Sequence, residues 1–243
     1  MKVKYYIENY GNRIYYTLHK TKRKTIGIIV DKNGEVKVHA PFCVSEKQVC
    51  EAVKKKADWI IKKVNEVTER NLNVECRQFV SGEKFLYLGK EYTLEIVEKD
   101  LSKSEVLILE DTMAVYISKG LYAESRKQAI KEALIKWYRQ RFAEIVKERI
   151  EKYSLQLKVA PCKVVIKDQK TRWGSCSKKG NINLNWRLVM APIDIIDYVV
   201  VHELCHLKFM NHSKDFWNLV KSILPNYTEG REWLKVNGNR LGI

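Results

Sequence analysis

The chain is short of several things, and each shortage removes a class of protein. No stretch of its 243 residues approaches the run of about eighteen apolar residues that a membrane-spanning helix needs. The opening, MKVKYYIENYGNRIYY, scatters charges and tyrosines where a secretion signal would be unbroken and apolar. Six cysteines, Cys43, Cys50, Cys76, Cys162, Cys176 and Cys205, form no CxxC pair, so neither a disulfide framework nor a thiolate zinc site is suggested. They read as reduced thiols, and together these absences describe a soluble, cytoplasmic protein with no membrane association. No GxxxxGK[ST] occurs, which rules out a P-loop. Acidic residues are scarce as well: 29 Asp and Glu against 45 Lys and Arg leave a net charge of +16, which favours polyanions or anionic substrates. The bases are spread in TKRK, VKKK, IIKK and YRQR, interleaved with apolar residues, as on a solvated surface that can also associate non-specifically with nucleic acid.

Two stretches carry strand patterns. Residues 3–39 hold KVKYYIE, RIYYTLH, TIGIIV and EVKVHA, the last two joined by the turn signal DKNG, which suggests a small antiparallel sheet. Ser45 can cap a helix reaching about Arg70, with Val49, Val53, Trp59, Ile60 and Val64 near one face. The strand pattern returns in residues 84–118, with Gly89 and Asp111 at turns, and a helix follows over residues 122–152. The expected organisation is an α+β fold: a β-rich region with one long helix over residues 1–120, then a second domain over residues 121–243. Within the latter, CKVVIKD and NINLN read as strands, and Pro192 opens a helix with Asp194 and Asp197 at its positive end.

Histidine is also rare, yet three of the five fall within eleven positions, in VVVHELCHLKFMNHSKDFW. Residues four apart on a helix are offset by about 40° around the axis, so His202 and His206 of HELCH can share a metal ion. Glu203 falls beside that face, where its carboxylate can take a proton from a metal-bound water without being a ligand. The preceding IIDYVVV is apolar nearly all round, so the helix is buried and its imidazoles need partners. A catalytic site needs a third ligand. On a continuous helix His212 would lie about 15 Å further along, so its use requires the chain to turn back, with Asn211 in the left-handed conformation and Ser213 capping a helix from Lys214 to about Leu224. Glu229 or Glu232 is the competing third ligand. The spacing matches the HExxHxxGxxH of metzincin peptidases except that Phe209 stands at the glycine.

The segments RWGSCSKKGNINLNWRLVMAP and YVVVHELCHLKFMNHSKDFW resemble the YgjP-like family of predicted zinc metallopeptidases, itself similar to the SprT and WLM peptidases. The resemblance is strong over residues 160–237 and extends over the whole chain through KRKTIGIIVDKNGEVKVHAP and the helix with Trp59. It implies a zincin-like catalytic domain, with His202, His206 and His212 on zinc and Glu203 as the catalytic carboxylate; Mn2+ or Ni2+ are other ions such ligands accept.

The expected activity is therefore peptide hydrolysis by a zinc-bound water activated by Glu203. An extended substrate would lie along an exposed strand edge, for which NINLN is the candidate, touching Asn183 and Asn185, with Trp173 in the pocket wall and Tyr227 or Arg231 as oxyanion donor. The loop RWGSCSKKG keeps a second reading open, a nucleotide phosphohydrolase in which Arg172, Lys178 or Lys179 neutralise the phosphates of a nucleoside triphosphate. A third is a nucleic-acid-associated module with a structural zinc, which would need a fourth ligand that the spacing does not supply.

Overall fold

The computed structural model describes residues 4–9, 11–31, 33–73, 77–169 and 171–243. Alternating apolar residues make four short strands first: β1 (Lys4–Asn9), β2 (Asn12–Thr21), β3 (Gly27–Val30) and β4 (Val36–Pro41). Their order is β1-β2-β4-β3. β1/β2 and β3/β4 are antiparallel, but β2 and β4 run parallel, so the sheet is mixed rather than wholly antiparallel as expected. Burial explains the order. Val36, Val38 and Ala40 of β4 are at most 5% exposed and claim the centre, whereas β3, with Ile29 48% exposed, suits an edge.

Ser45 does cap a helix, with its Oγ accepting from the Gln48 N–H and the Gln48 side chain accepting from the Ser45 N–H. The single helix expected to reach Arg70 is two, α1 (Glu46–Lys55) and α2 (Ala57–Asn73), broken at Lys56. The helical phase nevertheless runs on: Val49, Val53, Ala57 and Ile60, spaced four, four and three residues apart, are buried against the sheet, whereas Trp59, expected on that face, lies about 100° around the helix from Ile60 and is turned outward.

A second sheet repeats the first. β5 (Lys84–Tyr87), β6 (Lys90–Lys99), β7 (Glu105–Leu109) and β8 (Thr112–Ser118) lie in the order β5-β6-β8-β7, again with a parallel central pair. The 35-residue α3 (Ala123–Leu157) packs on it through Ile130, Leu134, Tyr138 and Phe142. The chain divides into two compact units, Met1–Cys76 and Arg77–Ile243. The division does not fall near Gly120, where the boundary was expected, because Phe85, Leu94, Met113, Val115 and Ile117 share one core with α3 and everything after it.

In that second unit β9 (Lys163–Lys167), β10 (Gly174–Cys176) and β11 (Asn181–Asn185) form a sheet ordered β10-β11-β9. A 3-10 turn, Trp186–Met190, leads into α4 (Ile193–Cys205), followed by α5 (Lys214–Ile223) and α6 (Tyr227–Asn237). Hydrogen bonds hold α4 at its start. The turn between β5 and β6 donates from Leu88 N–H to the Val189 carbonyl (2.9 Å) and from Gly89 N–H to the Met190 carbonyl (3.1 Å). One turn in, Asp197 accepts from the Tyr153 hydroxyl (2.8 Å) and lies 3.4 Å from the Arg149 guanidinium, both on α3. No helix among the described residues is long and apolar enough to cross a membrane.

Candidate metal centre and cleft

The HELCH segment lies at the end of α4, whose Ile195, Ile196, Val199, Val200, Val201 and Leu204 are all at most 4% exposed. The helix stops at His206 by its own means. The N–H groups of Lys208 and Phe209 both reach back to the Cys205 carbonyl, and His206 Nδ1 donates to the Phe209 carbonyl at 3.0 Å. A carbonyl only accepts, so Nδ1 carries the proton and Nε2 keeps its lone pair for a metal. The expected left-handed Asn211 is not used, since its φ is not positive, and neither is that of Phe209. With no positive φ in the turn, the glycine of the metzincin pattern is unnecessary. Ser213 plays its expected part, accepting from the Phe216 N–H at 3.3 Å to start α5.

The reversal gathers His202, His206 and His212, whose candidate ligand nitrogens all lie within 4.8 Å of one another. The Nε2 atoms of His202 and His212 face each other at 3.1 Å. Beneath them the fully buried Phe216 ring lies 4.6–5.0 Å from all three imidazoles, and Trp217 stacks on the exposed His212 at 5.5 Å. The packing favours the neutral form of two of these imidazoles. Burial, reinforced by the neighbouring imidazoles and Arg231, lowers the pKa of His202 to about 3, and the same causes lower that of His212. His202 Nδ1 and Glu203 Oε2 are buried without a hydrogen-bond partner among the described residues. Three imidazoles with converging nitrogens and a partnerless carboxylate fit a divalent metal ion. Glu229 and Glu232, the competing ligands, are exposed on α6 and outside this cluster, and Glu232 pairs with Lys235 at 3.1 Å.

Glu203 is 5% exposed, and burial raises its pKa to about 8 against the opposing field of Arg172. What it packs against was not legible in the sequence: a Cβ on Gly174 would stand 2.5 Å from Glu203 Oε1, so β10 approaches the carboxylate closely only because residue 174 is glycine. Beside Glu203 opens a cleft of about 360 Å³. Trp173 and Gly174 of the β10 segment form one wall, Tyr198, Val199, His202 and Glu203 of α4 the floor, and Arg231, Leu234 and Lys235 of α6 the other wall.

Of the substrate residues expected from sequence, Trp173 and Arg231 line this cleft; Arg172, Lys178, Lys179, Asn183, Asn185 and Tyr227 do not. Lys178 and Lys179 sit in the exposed turn after β10. Asn183 Nδ2 donates to Ser175 Oγ, and Tyr227 stacks on Trp217 at 5.1 Å. Asn185 is consumed internally, donating from Nδ2 to the carbonyls of Gln169 and Arg172 and capping the 3-10 turn. NINLN is a central strand, not the expected edge, because Ile182 and Leu184 are fully buried; the edges are β9 and β10, and it is β10 that borders the cleft, through Gly174. Tyr198, Leu234 and Lys235 were missed. Tyr198 stands four before His202 and Lys235 four after Arg231, so helical spacing could have placed both.

Three imidazoles able to hold a metal ion thus open on a cleft of substrate size, an arrangement that suits a metal-dependent hydrolase. The model of the YgjP-like family, metallopeptidase domain, matches residues 24–237, and the chain belongs to that family. It is accordingly a metal-dependent peptidase. Among solved structures the chain is similar to the metallopeptidase zymogen of Pyrococcus abyssi abylysin, at 28% identity over 37% of this chain and 93% of that one, with a TM-score of 0.34. It is also similar to the zymogen of Methanocaldococcus jannaschii jannalysin, at 23% identity over 38% and 95%, with a TM-score of 0.35. No curated protein matches.

Proposed function

We propose that the protein is a zinc peptidase in which His202, His206 and His212 hold the ion through Nε2 and Glu203 is the general base. The observation that carries this is the convergence of three imidazole nitrogens within 4.8 Å beside a buried, partnerless carboxylate. Ligand nitrogens of a tetrahedral zinc at bonds of about 2.0–2.1 Å stand about 3.3 Å apart, close to the 3.1 Å between His202 and His212. When bound, the ion would acidify a water molecule, polarise the scissile carbonyl and favour the ionised form of Glu203. Glu203 then takes the proton and returns it to the leaving amine. The peptide is aligned by β10. The Asn185 N–H donates to the Trp173 carbonyl, and the Ser177 N–H to the Asn181 carbonyl. Alternation along an antiparallel pair therefore directs the N–H and C=O groups of Gly174 and Cys176 to the free edge, where an extended substrate can pair.

The test exposes metal-loaded protein in parallel to unfolded polypeptides and to nucleoside triphosphates, with Glu203→Gln as control. Peptide cleavage should fall roughly hundred- to ten-thousandfold in Glu203→Gln at unchanged metal content. Turnover confined to the nucleotides would replace this reading with phosphohydrolysis, and normal activity in Glu203→Gln would remove the general-base role.

A further inference from the structure

The arginines of the second unit are mostly committed to carboxylates: Arg77 to Glu83, Arg126 to Glu98, Arg149 to Asp197 and Arg187 to Asp168. Arg231 is different. It lines the cleft beside His202 and Glu203 and has no carboxylate partner among the described residues. Its guanidinium instead lies 5.7 Å from the centre of the Trp217 ring, which restricts the fork without occupying its donors.

The helix that carries it is placed with little freedom. Gly230, immediately before it, is buried against Tyr198, and a Cβ there would come within 2.9 Å of the Tyr198 side chain. α6 thus lies against α4 at the residue next to Arg231, four residues along α4 from His202. One turn further on, Lys235 adds a second cation to the same wall, partly offset by Glu232 in an exposed pair that contributes little. The rest of the lining includes Trp173, Tyr198, Val199 and Leu234, all apolar or aromatic, and the one carboxylate lining the cleft is Glu203. A side chain entering from a bound peptide therefore meets apolar surface along its stem and an unpaired, planar cation at its tip.

From this we infer that Arg231, assisted by Lys235, makes the cleft a subsite for a carboxylate on the substrate, borne by an acidic side chain beside the scissile bond or by the free C-terminus of a short peptide. The inference rests on the peptidase reading and names its substrate class. A carboxylate bound bidentately gains two charge-assisted hydrogen bonds that an amide cannot reproduce, and a lysine at the same place is repelled.

The experiment compares internally quenched peptides carrying Glu, Gln or Lys next to the cleaved bond, each with a free and an amidated C-terminus, on the full metal-loaded chain. The expected result is a roughly ten- to hundredfold higher kcat/KM for Glu over Gln, or for the free over the amidated terminus, whichever source fills the site. Arg231→Gln should flatten the preference, Arg231→Glu should reverse it in favour of Lys, and Lys235→Glu should weaken it less. Arg231 is exposed, and metal content measured on each variant separates lost selectivity from a lost ion. Equilibrium binding of the same peptides to the Glu203→Gln variant supplies a readout independent of turnover. Equal values for charged and neutral peptides in the wild type, or an unchanged preference in Arg231→Glu, would overturn the carboxylate subsite while leaving the peptidase intact. If no peptide is cleaved by the wild type, the peptidase reading fails, and the binding arm still decides whether the cleft selects a carboxylate.

Discussion

The two four-stranded sheets have one topology and different fates. β1-β2-β4-β3 and β5-β6-β8-β7 match strand for strand, each with a parallel central pair made by a buried last strand and each with an exposed edge at its third. The first sheet closes its core on α1 and α2 through a small set of aliphatic side chains, among them Val38, Val49, Val53 and Ile60. The second never closes by itself. Its core runs on through α3 to the three-stranded sheet and α4, and its first hairpin turn hydrogen-bonds the segment that launches α4. Topology therefore does not make the site: a sheet serves chemistry where its turn and its helix are bonded to the element that carries the ligands.

Substitutions can break or sharpen that contrast. The largest effect belongs to His212→Ala, which should leave the purified protein with essentially no bound ion by elemental analysis; full stoichiometry would transfer the third ligand to Glu229 or Glu232. Next comes Gly174→Ala, whose methyl group would stand within 2.8 Å of three atoms of Glu203. Because a displacement of about 1 Å at the reacting group can cost a hundredfold, kcat should fall by about that factor with metal content retained. A normal kcat would mean that the close approach of β10 to Glu203 is without consequence. Smallest at the site is Ile60→Ala in the first unit. Emptying this fully buried position should lower the stability of that unit by about 2–5 kcal/mol in denaturant titration. Metal content and kcat should stay at wild-type values, and a loss of either would show that the two halves are energetically one.

Local rules made much of this legible beforehand. The strands, the Ser45 and Ser213 caps and the Pro192 start of α4 depend on side chains and backbone within a few residues of each other, and the i, i+4 spacing of His202 and His206 is a property of one helix. The errors have other origins. NINLN was read as an edge because alternation says that a strand exists but not which strands flank it. Trp59 was placed inward although it lies about 100° around the helix from its buried neighbour Ile60.

What the sequence by itself determined was the inventory: an α+β chain, a metal-binding helix with a carboxylate beside it, and the need for the chain to reverse before His212. Only the tertiary structure decided how that inventory is used. The reversal is made by the His206 side chain on the Phe209 carbonyl rather than by a left-handed Asn211, and β10 rather than β11 offers its edge. Gly174 admits Glu203, and Arg231 is left unpaired across the cleft. The physical reason is range: periodicity and capping act within a few residues of chain, whereas edge position, close approach and an unpaired charge depend on residues brought together from distant parts of it.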